Sequence, residues 1–248
     1  MQFLYGIHSI KAALKGQEIQ IEKIYLLKDR KNPKLQEILR LAAENKVELE
    51  EISAEEFYKL LPGECKHQGI LAYCQQLPDF NEATLKAICE DLSDTALFLI
   101  LDGIQDPHNL GACLRTANVF GVHAVIAPKD KAVGLTAAAI KVASGAAGLT
   151  PFIRVTNLVR TIAFLQEQGI WVYGTDMKAA KPLVEIDMNR KLALVMGGEE
   201  KGLRQLTRKH CDELIYIPQW GEIESLNVSV AAGVCLYEAR RQQIIVKN

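Results

Sequence analysis

The chain has 248 residues, 49% hydrophobic and 24% charged, which suffices for a core in one large or two modest domains and excludes a disordered polymer. With 29 basic against 30 acidic residues the net charge is −1, and the first 80 residues hold 11 and 12 of them, so any surface for a polyanion must be a local patch. No apolar run approaches the ~20 residues needed to span a bilayer and no leader pattern opens the chain, so a cytoplasmic protein with no membrane contact is expected.

The first 75 residues read as a small α/β unit. Apolar periodicity predicts a helix near residues 7–14, a strand at 21–27, and a helix from Pro33 with Leu35, Ile38, Leu39 and Ala42 on one face. Val47 to Ile52 alternates as a strand. Ser53 with Glu56 forms a capping box opening a helix to Leu61, and GILAYC closes the unit as a strand. The cluster Lys28, Arg30, Lys31 and Lys34, around a Pro-containing turn, is the best local candidate for phosphate contact; a solvated loop and helix start explains it equally well. The stretch QQLPDFNEAT has no periodicity and reads as a linker, giving residues 1–76, a linker and leading helix at 77–95, and a second domain at 96–248.

From residue 82 onward strands alternate with helices. ALFLILD, HAVIAP, IWVYGT, LALVMG and LIYIP are strand-like; helices are expected from Asn109, in an alanine-rich run, at 158–168 and at the C-terminus. This is the α/β pattern of a parallel sheet buried on both faces. Six cysteines, at 65, 74, 89, 113, 211 and 235, contain no C-x-x-C pair and the five histidines show no ligand spacing, so reduced thiols and no metal are expected.

Three loops at the carboxyl edge of that sheet carry chemistry. After ALFLILD comes DGIQDPHNLGACLRTANVFG, where Asn109 reads as a helix N-cap, Gly111 permits close backbone approach and Arg115 stands about 1.5 turns into the helix. After LALVM comes GGEEKGL, with Gly197 and Gly198 able to admit an adenosine or a phosphate and Glu199 beside them; it is neither a dinucleotide fingerprint nor a Walker sequence. After LIYIP a polar loop leads to Ser225, Leu226 and Asn227 before an apolar helix. Taken singly, the first two loops are as well explained by helix punctuation and a turn, while capping alone explains one or two of Ser225, Asn227 and Ser229.

Together the segments N-L-G-x-x-x-R-T-A, G-x-E and I-P-x-x-G-x-x-x-S-L-N-V-S-V-A resemble the SpoU/TrmH family of RNA ribose methyltransferases in order and spacing, over residues 97–242. Tyr5-Gly6 and His67-Gln68-Gly69 look like the small substrate-binding domain of its ribosomal RNA branch. The resemblance implies a catalytic α/β domain with a deep trefoil knot, a homodimer, and the cofactor S-adenosylmethionine held by backbone groups of Gly197, Gly198, Ile217 and Leu226. It implies a reaction site of Asn109, Arg115, Glu199, Ser225 and Asn227, with Glu199 orienting Arg115 or the loop. The implied substrate is a guanosine ribose in large-subunit (23S) ribosomal RNA. A transfer RNA guanosine enzyme shares the three motifs and stays open, as does, further off, a silent RNA-binding protein. A dinucleotide oxidoreductase would need a glycine fingerprint that DGIQDPHNLG lacks.

Two positions depart from the family pattern: Gln219-Trp220, where members often carry Met and a small residue, and Gly148, where many carry an acid. Trp220 is expected to pack in its loop; the sharper alternative is a stacking platform for an RNA base. His67 is a further candidate RNA contact.

Overall fold

A computed structural model describes residues 2–5, 7–15, 21–28, 35–60, 68–74, 80–90, 92, 94–199, 201–222 and 225–245. It divides into two compact units, residues 1–79 with 144–149, and residues 80–143 with 150–248.

The first unit contains β1 (Gln2–Tyr5), α1 (Ile7–Lys15), β2 (Ile21–Leu27), α2 (Leu35–Glu44), β3 (Glu48–Ile52), α3 (Ala54–Leu60) and β4 (Ile70–Cys74). They form a sheet of order β1-β4-β2-β3, antiparallel except for β2 with β3. One face buries Ile10, Ile24, Ile38 and Ile70 beneath α1 and α2; the other buries Phe57 of α3 against Ile52 and Leu71. The capping box forms, with the Ser53 and Glu56 side chains each bonding the other residue's backbone N–H. β1, unforeseen in the sequence, pairs with β4 and places β4 inside the sheet. Two expectations are corrected. Leu39 is exposed while Leu41 takes the buried position of α2, and β3 does not alternate, because as an edge strand it exposes four of its five residues.

Gln68, in left-handed backbone conformation (φ 54°), accepts from Ile7 N at 2.9 Å through its side-chain oxygen and so caps α1. Lys28 is exposed at the end of β2; Arg30, Lys31, Lys34, His67, Gly6 and Cys65 lie outside the described residues.

The second unit begins with α4 (Glu82–Glu90), β5 (Leu97–Asp102), α5 (Pro107–Val119), β6 (Ala124–Pro128), α6 (Ala137–Ala143) and β7 (Phe152–Val155). It continues with α7 (Leu158–Glu167), β8 (Trp171–Thr175), β9 (Lys181–Pro182), β10 (Leu192–Gly197), α8 (Gln205–His210), β11 (Glu213–Tyr216) and α9 (Val228–Ile245). The sheet is parallel throughout, in the order β7-β6-β5-β10-β8-β11-β9. β5, with all six residues buried, is apolar up to Asp102 because helices cover both faces. On one face Phe98 and Ile100 pack with Leu85 of α4 and Ile162 of α7. On the other α5 packs against α6 and α9. Gly111 allows the α5–α6 approach: a Cβ there would stand 2.5 Å from Ala139 O. Every strand's carboxyl end lies at the same sheet edge, where open α/β sheets bind ligands.

The helix after β5 starts earlier than expected. Asp106 is the N-cap, its carboxylate accepting from His108 N at 2.9 Å, and Pro107 fills the first helical position. Asn109 is therefore inside the first turn, with its side chain released from capping. Arg115 lies more than two turns in.

Arg240 of α9 anchors the C-terminal helix. Its guanidinium donates to Phe120 O (2.7 Å), Thr95 O (2.9 Å) and Gly121 O (2.6 Å), joining α9 to the carbonyl end of α5. No helix among the described residues is long and apolar enough to cross a membrane.

Candidate active site

Asn109 joins the three loops. It is buried, donates through Nδ2 to Glu199 Oε1, and accepts through Oδ1 from Asn227 Nδ2 at 2.9 Å. These bonds connect residues 90 and 118 positions apart in the chain. Asn227 Oδ1 also accepts from Ser229 N (2.9 Å) and Ser229 Oγ (2.6 Å), so Asn227 is the cap of α9. One polar chain thus runs from the helix after β5 to the turn after β10 and to the start of α9.

A cavity of about 930 Å³ opens beside this chain, lined by Gly197, Gly198, Glu199, Ile217, Ser225, Leu226 and Asn227. That volume suits a ligand of nucleoside-cofactor size. The turn after β10 is tight: Gly202 N donates to Gly198 O at 2.8 Å, and a Cβ on Gly197 would stand 2.2 Å from Gly202 C. Glycine is required there so that the backbone itself can form the wall. Arg204 closes the turn, with its N–H on Asp102 Oδ2 (2.9 Å) and its Nε 3.4 Å from Asp102 Oδ1.

Sequence reading missed the third wall. Thr175 and Asp176, at the end of β8, and Arg208 of α8 also line the cavity, and Arg208 pairs with Asp176 at 2.9 Å. The rule that singled out the other loops, polar residues at the carboxyl end of a buried strand, applies equally to Thr175-Asp176. Asp176 and Glu199 stand in this lining with Lys178, Lys201 and Arg208, so both signs of charge are available to a zwitterionic ligand such as S-adenosylmethionine. The residues present fit that cofactor.

Arg115 is placed elsewhere. It is exposed on α5, six residues beyond Asn109 and so about 9 Å along the axis on a different helix face, and it does not line the cavity. Of the two partners expected for Glu199, Arg115 or the loop, it bonds Asn109 of the first loop segment. Trp220 does not pack in its loop: it is 93% exposed, next to the cavity residue Gln219. Burial, with a smaller contribution from the Glu199 charge, pushes the Cys113 thiol up to about 12, so it supplies no thiolate nucleophile.

The two units match separate families. Residues 96–237 match the SpoU rRNA Methylase family, and residues 3–80 match the family described as RNA 2'-O ribose methyltransferase substrate binding. Among relatives, the 23S rRNA (guanosine-2'-O-)-methyltransferase RlmB of Coxiella burnetii is 48% identical over 97% of this chain and 95% of its own length. The protein of the same name from Escherichia coli is 45% identical over 98% and 99%. In fold, the chain is similar to the SpoU methyltransferase AviRb from Streptomyces viridochromogenes, crystallised with AdoMet, at a TM-score of 0.77 and 23% identity, covering 98% of this chain and 90% of that one. With a family match over the whole cavity-bearing sheet and relatives near half-identical from end to end, this chain belongs to the SpoU rRNA methylase family.

Proposed function

We propose that this protein catalyses S-adenosylmethionine-dependent 2'-O-methylation of a guanosine ribose in 23S ribosomal RNA, acting in the cytoplasm as a homodimer. The carrying observation is the convergence of three sequence-distant loops, through Asn227, Asn109 and Glu199, on one cofactor-sized cavity in a chain 45–48% identical to enzymes named for that reaction.

When bound, S-adenosylmethionine supplies an electrophilic methyl group. Backbone groups of Gly197, Gly198, Ile217 and Leu226 hold it, and the glycine-walled turn excludes water from one side. Transfer to a 2'-hydroxyl is an in-line displacement, so alignment at about 3 Å provides most of the acceleration. Asn109 fixes the two cavity loops against each other, and Ser225 and Asn227 shape the acceptor side. Arg115 clamps the target phosphate and polarises the hydroxyl; the departing proton goes to a phosphate oxygen, because a protonated guanidinium has no lone pair, and Arg115 takes it only in a perturbed, deprotonated form. A guanidinium with ordinary pKa above ~12 serves better as clamp than as base.

The dimer reading rests on exposed apolar residues. Val119 of α5 is 73% exposed, and Val230, Val234 and Tyr237 of α9 are also exposed, with Tyr237 edge-on to Phe120 at 6.4 Å. Arg115, one helical turn before Val119, stands at the margin of that stripe. The trefoil knot is part of the same proposal: β10 inserts between β5 and β8, and the chain returns through β11 before α9 docks on α5. Exposed Trp220 suits a base-stacking role. Residues 1–76 choose the RNA, with residues 77–95 leading into the catalytic domain of residues 96–248.

Methyl-labelled S-adenosylmethionine offered with 23S and transfer RNA transcripts tests the reading. Label recovered as 2'-O-methylguanosine from 23S RNA is expected. Label in transfer RNA would favour the transfer RNA reading, and RNA binding without transfer would favour a silent binder.

A further inference from the structure

A chain of net charge −1 has no long-range pull on RNA, so phosphate contacts must come from local clusters of uncompensated cations. One such cluster surrounds the loop after β6. Lys129 and Lys131 are exposed there, and neither ammonium has an ion-pair or hydrogen-bond partner among the described residues. Two arginines grip the backbone of the same loop. From β7, Arg154 Nη2 donates to Lys129 O at 2.5 Å; from the turn after β10, Arg204 Nη2 donates to Asp130 O at 3.2 Å and Lys131 O at 3.4 Å.

A carbonyl oxygen accepts from a guanidinium without cancelling its charge. Among the described residues Arg154 pairs with no carboxylate and its buried Nε finds no acceptor. Arg204 has the buried Asp102. Four cations therefore meet at one loop against the carboxylates of Asp130 and Asp102. Lys131 also holds a left-handed backbone (φ 56°), where glycine fits without strain, yet the position carries a long cationic side chain.

The location suits an acceptor. β6 is the neighbour of β5 on the side away from β10, and Val133 N donates to Ile104 O at 2.9 Å, tying this loop to the one that leads into Asn109 and Arg115. The cofactor cavity lies on the opposite flank of β5, at the ends of β10, β8 and β11.

We propose that Lys129 and Lys131, braced by Arg154 and Arg204, bind backbone phosphates of the RNA strand flanking the target nucleotide. The proposal rests on the methyltransferase reading and adds to it a second RNA surface, carried by the catalytic unit itself.

The test uses the full chain with Lys129→Glu/Lys131→Glu and, in parallel, Lys129→Gln/Lys131→Gln. Lys191→Glu, at the opposite sheet edge just before β10, is the charge control. Binding of protein-free 23S RNA is measured across salt concentrations, together with the RNA KM and calorimetric S-adenosylmethionine affinity. Both double variants should lose at least tenfold in RNA affinity at low salt. Their log–log salt slope should be shallower by about 1.4–1.8, because two phosphates are no longer neutralised and each accounts for ~0.7–0.9 of slope. Cofactor affinity should stay within twofold, and Lys191→Glu should match the unaltered protein. Double variants with the original slope and RNA KM would overturn the proposal. If the unaltered protein transfers no methyl group to any RNA, the methyltransferase reading fails instead, while the slope still reports on phosphate binding by the two lysines.

Discussion

Replacing Gly197 with alanine puts a methyl group where the turn after β10 has no room. The added Cβ would stand 2.2 Å from Gly202 C and 2.3 Å from Leu203 N, whereas ordinary contact begins at 3.4 Å, so the backbone of residues 202–203 must retreat by the 1.2 Å difference. That backbone is held by the Gly198–Gly202 bridge and by the Arg204 clasp on Asp102, so it yields poorly. Overpacking against fixed atoms costs about 1–3 kcal/mol, and the upper end applies here. At roughly 2–4 °C per kcal/mol for a chain of this size, melting falls by about 6–12 °C. The displaced turn is also the cofactor wall, so calorimetry should show S-adenosylmethionine binding weakened more than about tenfold, or about 1.4 kcal/mol. Gly202→Ala is the matched comparison: its φ is +60° and no atom lies within 4 Å, so it incurs only the left-handed penalty of about 1 kcal/mol. Its cofactor affinity should change less than threefold. A Gly197→Ala protein that melts and binds S-adenosylmethionine as the original does would refute the assignment of this turn as the cofactor wall.

Arg115→Ala should leave cofactor affinity within about twofold, since Arg115 does not line the cavity, while single-turnover methyl transfer falls by orders of magnitude, about 10²-fold or more for a missing positioning group; equal loss of both would make Arg115 structural. Burial holds the His123 imidazole below its ordinary value of 6.5, with the Arg240 charge adding to the effect and a bond to Leu97 opposing it. The unfolded chain therefore binds the proton first, and stability falls as pH drops through about 6.5. Melting curves at about pH 7.5 and 5.5 should show a larger drop for the original protein than for His123→Gln; parallel drops would contradict this. Arg240→Ala removes three bonds to backbone carbonyls and should cost about 2–4 kcal/mol in denaturant unfolding. An unchanged midpoint would show that α9 is held by its apolar face alone.

Much of the sheet was legible because its strands are continuous apolar runs such as Leu97 to Leu101, which only burial on both faces explains. β1 and β7 escaped notice, being four residues each and without clear periodicity. The start of α5 was misplaced although the signal was present: Asp106 before Pro107 is a stronger opening than Asn109, because proline fits the first helical position. Leu39 and Leu41 exchanged burial because periodicity fixes a helical stripe only to within a residue. Strand order was out of reach, since placing β10 between β5 and β8 depends on pairing across the whole unit. In the site, spacing singled out Asn109, Glu199 and Asn227 separately. Their mutual hydrogen bonds, and the distance of Arg115 from them, depend on helix phase and loop closure that no local pattern encodes.

The most direct measurement of the central claim is a map of 2'-O-methyl positions in ribosomal and transfer RNA from cells lacking this protein, with and without its restoration. One 23S guanosine should lose its ribose methyl group, regain it with the intact protein, and not regain it with Arg115→Ala. Complete 23S methylation in the protein's absence, or a missing methyl group on a transfer RNA guanosine instead, would contradict the claim.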